Sequence, residues 1–170
     1  IGYDFLKDYD ILFDYEKQVI TLIQPDEFEH YANTHFSEKE IERIPFELKH
    51  HIPIIQAEVG GKDYSFGLDC GAEGNLMDDD LFVAMESHLL DITEDDLIGA
   101  NNNPKKVKKG KVKSTQIGNL SFEKMSTAFN DISHLNEGYQ LNLDGLVGYE
   151  LLSKQTTVIS YARQELLFIQ

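Results

Sequence analysis

Cysteine is almost missing from this chain, and Cys70 is the only one. A single thiol excludes an internal disulfide and any multi-cysteine zinc site, and it leaves the redox compartment open. Positive charge is also scarce: 15 Lys and Arg face 30 Asp and Glu, for a formal charge of -15. A field of that sign repels phosphate and argues against nucleic acid as a partner. No apolar run approaches the ~20 residues that span a bilayer, so this sequence carries no membrane segment. No secretory signal is visible either. The chain opens Ile-Gly-Tyr rather than with Met, which is compatible with a signal lying upstream. Localisation is left undecided between export to a periplasm or cell surface and the other compartments.

What is present suffices for a core. The 170 residues are 41% hydrophobic, with ten Phe and eight Tyr, which fits one domain, or one domain and a remnant of another. A remnant is indicated by an internal repeat. Residues 1–24, IGYDFLKDYDILFDYEKQVITLIQ, align without gaps on residues 147–170, VGYELLSKQTTVISYARQELLFIQ. Gly2, Tyr3, Leu6, Tyr15, Gln18, Ile23 and Gln24 recur as Gly148, Tyr149, Leu152, Tyr161, Gln164, Ile169 and Gln170. Two unrelated stretches of this length share about one or two identities at ordinary residue frequencies. Self-similarity at fixed spacing signals a repeated structural unit. The expectation is therefore three parts: a tail of a preceding lobe at 1–24, a linker with a short helix at 25–45, and a complete lobe at 46–170.

Residues 10–23 read as a hairpin of two strands around Tyr15-Glu-Lys-Gln. In the linker, Ser37 and Glu40 have the spacing of a capping box for a short helix ending near Arg43. Ile52 to Val59, then Gly60-Gly61, then Tyr64 to Asp69 has the pattern of a tight hairpin. Asp78 reads as the N-cap of a helix to about Leu90, with Leu81, Met85 and Leu89 on one face. Further strands are expected at 107–117 and 120–129, broken by Gly110 and by Gly118-Asn119. Many short strands with glycine-bearing turns predict an all-β chain with one or two short helices, closed into a β-barrel.

One apolar strand runs directly into Asp69-Cys70-Gly71-Ala72, and much later comes Gly145-Leu146-Val147-Gly148. Together with the closing hairpin at 156–169, these elements resemble the retropepsin-like aspartic peptidases, including the bacterial aspartyl protease family proteins. In that family a strand ends in Asp-Thr-Gly-Ala or Asp-Ser-Gly-Ala, and a late hydrophobic-hydrophobic-Gly element packs on the active-site loop. The resemblance covers residues 46–170, and residues 1–24 match the family's terminal segment a second time. It implies a retropepsin-like barrel lobe in which Asp69 is catalytic and Cys70, Gly71, Ala72 and Glu73 form the active-site loop. Leu146, Val147 and Gly148 would support that loop. A flap would correspond to residues 99–113, turning near Lys108, Lys109 and Gly110.

The mechanism implied by the resemblance needs two carboxylates close enough to share one proton. The ionised one takes a proton from a water between them while the other protonates the scissile carbonyl. Each lobe supplies one aspartate, so one lobe is half a site and this chain alone is expected to be inactive. The partner carboxylate would come from the preceding lobe of the same chain or from a second copy in a homodimer. No cofactor and no metal are implied, and the substrate would be a peptide or protein. Two residues depart from the family pattern. Cys70 replaces the hydroxyl that braces the two loops, and a thiol is a weaker donor and acceptor. Glu73 stands where Ser or Thr is usual, and adds negative charge beside the catalytic position. Three readings follow: a peptidase lobe, a lobe kept for binding peptides without chemistry, and an active homodimer.

Other clusters have plainer explanations. Asp78-Asp79-Asp80 and the acidic stretch 91–96 lack the spacing of a calcium loop. The first reads as helix capping and the second as a solvated loop. His50-His51 precedes a strand, where neighbours point to opposite faces. The six lysines of residues 99–113 suit either acidic peptides or a charged strand that discourages edge pairing.

Overall fold

The computed structural model describes residues 2–98 and 104–170. Helix α1 (Tyr3–Leu6) and strands β1 (Asp10–Asp14) and β2 (Val19–Ile23) come first, followed by helix α2 (Phe28–His35) and strand β3 (Ile41–Pro45). The body runs β4 (Glu47–Lys49), β5 (Ile52–Val59), β6 (Lys62–Leu68), β7 (Asn75–Met77), helix α3 (Phe82–Met85), β8 (Leu89–Ile98), β9 (Pro104–Ile117), β10 (Leu120–Phe129), helix α4 (Ser133–Tyr139) and β11 (Gly145–Val147). Helix α5 (Tyr149–Leu152) and strands β12 (Thr156–Ser160) and β13 (Glu165–Ile169) close the chain. The fold is all-β with short helices, as the strand pattern predicts.

Two sheets carry it. The body sheet has the order β4-β5-β6-β11-β7-β10-β9-β8, and a further pairing of β5 with β9 bends it back on itself. That contact is one register pair, Glu58 opposite Gln116, so the chain forms two sheets rather than the single closed barrel expected. The expected Gly60-Gly61 hairpin is present, with both glycines at positive φ (62° and 81°), as a tight turn between twisted strands requires. Inside lies the main core, which includes Ile55, Phe66, Met77, Met85, Ile117, Phe129, Leu151 and Leu166.

The second sheet has the order β2-β1-β12-β13-β3, and it turns the sequence repeat into geometry. A shift of 146 positions carries α1 onto α5, β1 onto β12 and β2 onto β13, residue for residue at every boundary. The turns repeat as well. Gln18 and Gln164 both take the left-handed conformation (φ 57° and 54°). The Lys17 N–H donates to Asp14 Oδ1 just as the Arg163 N–H donates to Ser160 Oγ. In the antiparallel pairing of β1 with β12, Leu12 faces Val158, its own counterpart in the repeat. A local two-fold axis therefore passes beside that pair. Two aromatic contacts obey it: Tyr3 meets Tyr161 edge-on at 5.1 Å and Tyr15 meets Tyr149 edge-on at 5.3 Å.

Several local expectations need correction. The helix of the linker is α2, before Ser37, and the Ser37–Glu40 segment leads into β3 instead. Phe28 and Ala32 bury one face of α2 against Leu12, Val158 and Leu167, while Ile41 to Pro45 gains a full edge pairing with β13. Packing on both counts outweighs a capping signal. Asp78 does cap, its Oδ1 accepting from the Asp80 N–H at 3.0 Å. The helical run after it is broken into α3 and flanking 3-10 turns, and Leu89 already begins β8. Gly110 does not interrupt β9, since it pairs opposite Thr127 of β10. The acidic stretch 91–96 is strand rather than loop, and it lies in register with the lysines of β9: Glu94 faces Lys108 and Asp96 faces Lys106. Asp91 and Lys111 form an ion pair at 2.8 Å. Opposite charges on facing strand positions favour this register.

One buried ion pair fastens the first hairpin to the last. Asp10 of β1 is fully buried and approaches Arg163 Nη1 at 2.7 Å, although neither of its oxygens has a well-aligned hydrogen bond. Arg163 also stacks its guanidinium over Phe28 at 4.7 Å. Arg163→Ala strands a carboxylate in a dry site, which costs about 3–5 kcal/mol when one partner of a buried pair is removed. Urea denaturation of the two proteins should show a loss of this order.

Candidate active site

Asp69 follows the last residue of β6, where the strand stops and the chain turns. Its N–H donates to Val147 O at 3.0 Å, and its carbonyl accepts from Ala72 N at 3.0 Å to close a tight turn. The Gly71 N–H reaches back to Asp69 Oδ1 at 3.0 Å, so the carboxylate is held by the loop's own backbone while remaining exposed. Gly71 allows this closeness, because a Cβ there would lie 3.3 Å from that same oxygen.

Strand β11 locks the loop from the other side. It pairs in parallel with β6 and antiparallel with β7, so Leu146 and Val147 sit directly beside the strand end that carries Asp69. Beyond it the Tyr149 N–H donates to Ala72 O at 2.8 Å. Gly148 passes so near the loop that a Cβ would collide with the Ala72 carbonyl and approach the Ala72 methyl at 2.9 Å. Of the residues that the resemblance assigns to the loop and its support, the structure brings Val147 against Asp69 and Gly148 against Ala72.

Asn75 is a site residue that sequence reasoning missed. It is buried, its Oδ1 accepts from the Gly148 N–H at 3.2 Å, and its amide donates to Met125 Sδ at 3.6 Å. One side chain thus ties the loop, β11 and β10 together. Asp144 was also missed: its Oδ2 accepts from the Ser65 N–H at 2.7 Å while its backbone bonds both Ser65 and Asp78. Nothing in the sequence local to either residue marks it out.

Beside the loop lies a cleft of about 510 Å³, lined by Ala72, Glu73, Asn75, Lys109, Ser126 and Glu150 among others. Glu73 and Glu150 place two carboxylates in its wall beside Lys109, and Glu150 accepts from both the Ser126 N–H and Lys154. Lys108, Lys109 and Gly110 lie within β9 and make no turn; pairing with β8 on one side and β10 on the other keeps them extended. The Lys108 ammonium lies 4.0 Å from the centre of the Phe82 ring. Of the flap expectation, residues 104–113 belong to β9 and residues 99–103 lie outside the described residues.

Residues 55–151, more than half of the chain, match the family described as Aspartyl protease. The chain belongs to the aspartyl protease family. Its structure is similar to the crystal structure of a retropepsin-like aspartic protease from Rickettsia conorii, with a TM-score of 0.56 at 17% identity over 77% of this chain and 92% of that one. At that identity the likeness speaks for the fold, which is retropepsin-like. No curated protein matches the chain.

Within this aspartyl protease fold Cys70 has an unusual setting. The residue is exposed, yet desolvation pushes its thiol pKa up and the Asp69 carboxylate adds to the effect. Tyr15 and Tyr161, which correspond to each other in the repeat, both feel this thiol. Each phenol is pushed up to about 12, first by burial and then by Cys70. A raised thiol pKa means less thiolate at a given pH and slower alkylation. Iodoacetamide should therefore label native Cys70 more slowly at pH 8 than the same residue in urea, and the rate should climb only above the ordinary thiol range. A second expectation concerns Gly148. Gly148→Ala must displace the Ala72 backbone, at a cost of about 1–3 kcal/mol, visible as a lower unfolding midpoint.

Proposed function

We propose that this chain is one lobe of an aspartic-type peptidase, in which Asp69 supplies one carboxylate of a pair that activates water for peptide-bond hydrolysis. The observation that carries this reading is the held yet open carboxylate at the strand end, gripped by Gly71 and bracketed by β11. A pair so placed shares one proton, because two like charges at contact distance do not both ionise. The ionised member then acts as base toward water, and the protonated member as acid toward the carbonyl oxygen.

The partner carboxylate belongs to a second lobe of the same polypeptide. The internal two-fold supports this over a homodimer: β1 already pairs with β12, on the side where a second copy would have to bring its own tail. A substrate chain would run past the loop along the cleft that begins at Ala72 and Glu73. A second reading, a lobe that binds peptides without cleaving them, is favoured by one observation. Cys70 offers a protonated thiol where the family pattern has a hydroxyl to brace the loops.

Cleavage of an unfolded protein across about pH 3–8 separates the two. The two-lobe polypeptide should cut, and Asp69→Asn should lower kcat by at least about a thousandfold with the fold unchanged by circular dichroism. A folded two-lobe protein with no cleavage at any pH would make the binding reading correct.

A further inference from the structure

The two copies have matching element boundaries but unequal burial, and the inequality has a pattern. Leu151, Leu166 and Phe168 are fully buried, whereas their counterparts Phe5, Ile20 and Leu22 are 49%, 62% and 38% exposed. The outer edge of β13 is covered by β3, with Leu166 opposite Ile44. The outer edge of β2 pairs with no strand among the described residues. Large apolar side chains on an open strand edge mark a place that another element covers.

Two hollows repeat the inequality. Gly148 is crowded by Ala72, but at its counterpart Gly2 a Cβ would meet nothing within 4 Å. Around Gly2 lies a hollow of about 700 Å³, lined by Tyr3, Asp4, Phe5, His50 and His51. The second hollow, about 320 Å³, is bounded by Phe13, Tyr15, Gln18, Ile20, Cys70 and Tyr149. At its two-fold mate the space is filled by Phe46, which is buried, lies 6.2 Å from Tyr161 and donates its N–H to Gln164 O.

We infer that both hollows and the β2 edge form one docking surface for an upstream lobe of the same polypeptide, with that lobe's aspartate loop seated over Gly2 and Tyr3. The inference rests on the two-lobe reading above and makes it specific. A carbonyl in the place of Ala72 O accepts from the Tyr3 N–H, as Ala72 O accepts from Tyr149. A strand in the place of β3 pairs antiparallel with β2, bringing an apolar residue opposite Ile20. Two positions after that residue, a large apolar side chain fills the hollow at Tyr15 and its N–H bonds Gln18 O. The two aspartate loops then face each other across the axis beside Leu12 and Val158.

The test compares the native polypeptide, including whatever precedes Ile1, with the 170-residue chain. Hydrogen exchange at the amides of Tyr3 and β2 should slow by at least about tenfold in the longer protein. Gly2→Ala should leave the melting temperature of the 170-residue chain unchanged, because its Cβ enters open space, and should lower that of the longer protein. Ile20→Glu with Leu22→Glu should behave in the same way. Equal exchange in both proteins, or equal tolerance of these substitutions, overturns the inference even if the longer protein cleaves peptides. Slowed exchange without any cleavage keeps the docking surface and sinks the peptidase reading. Slowed exchange in the 170-residue chain alone, rising with its concentration alongside a doubled mass in light scattering, assigns the surface to a second copy and also overturns it.

Discussion

Everything near Asp69 depends on a strand of only three residues. Strand β11 lies between β6 and β7 and is the strand that pairs them, just where the aspartate loop leaves. Its backbone holds Asp69, and the residues just beyond it hold Ala72 and Asn75. Such closeness needs glycine at both ends: a Cβ on Gly145 would collide with the Leu76 carbonyl, and one on Gly148 with the Ala72 carbonyl. Neither glycine has a positive φ. Room for a neighbouring backbone, rather than backbone freedom, is what these glycines supply.

That constraint explains why so much of the site was legible in the sequence. Gly145-Leu146-Val147-Gly148 and Asp69-Cys70-Gly71-Ala72 are short, local and dense in glycine, so they stand out even 70-odd residues apart. The repeat was legible for a different reason: its identities, such as Gly2 with Gly148 and Tyr15 with Tyr161, recur at one fixed spacing without gaps. Asn75 and Asp144 act through partners distant in sequence, and nothing local to them marks the role. The linker helix was misplaced because Ser37 and Glu40 carry a capping signal, while burial of Phe28 and Ala32 decides the outcome.

The same competition governs the charged hairpin. Read singly, the acidic run 91–96 looks like a solvated loop and the six lysines of residues 99–113 like a charged edge. Paired as β8 and β9, they lie in register, with Asp91 and Lys111 in an ion pair, and Gly110 is drawn into the ladder despite its turn preference. Local propensity is a weak prior for strands, where cross-strand neighbours set the balance.

The pairing of β1 with β12 also has a cost in time. Its two members lie at opposite ends of the chain, and contacts of such long range form late because a large loop must close first. At a synthesis rate of roughly 5–20 residues per second, the first hairpin would leave the ribosome roughly 7–30 s before the strand it pairs with. For that interval Ile11, Leu12 and Phe13, all buried in the finished protein, have β2 on one side but lack β12 on the other. Whatever shields them then, whether an earlier-folded neighbour or a chaperone, belongs to the folding of this protein as much as its own core does.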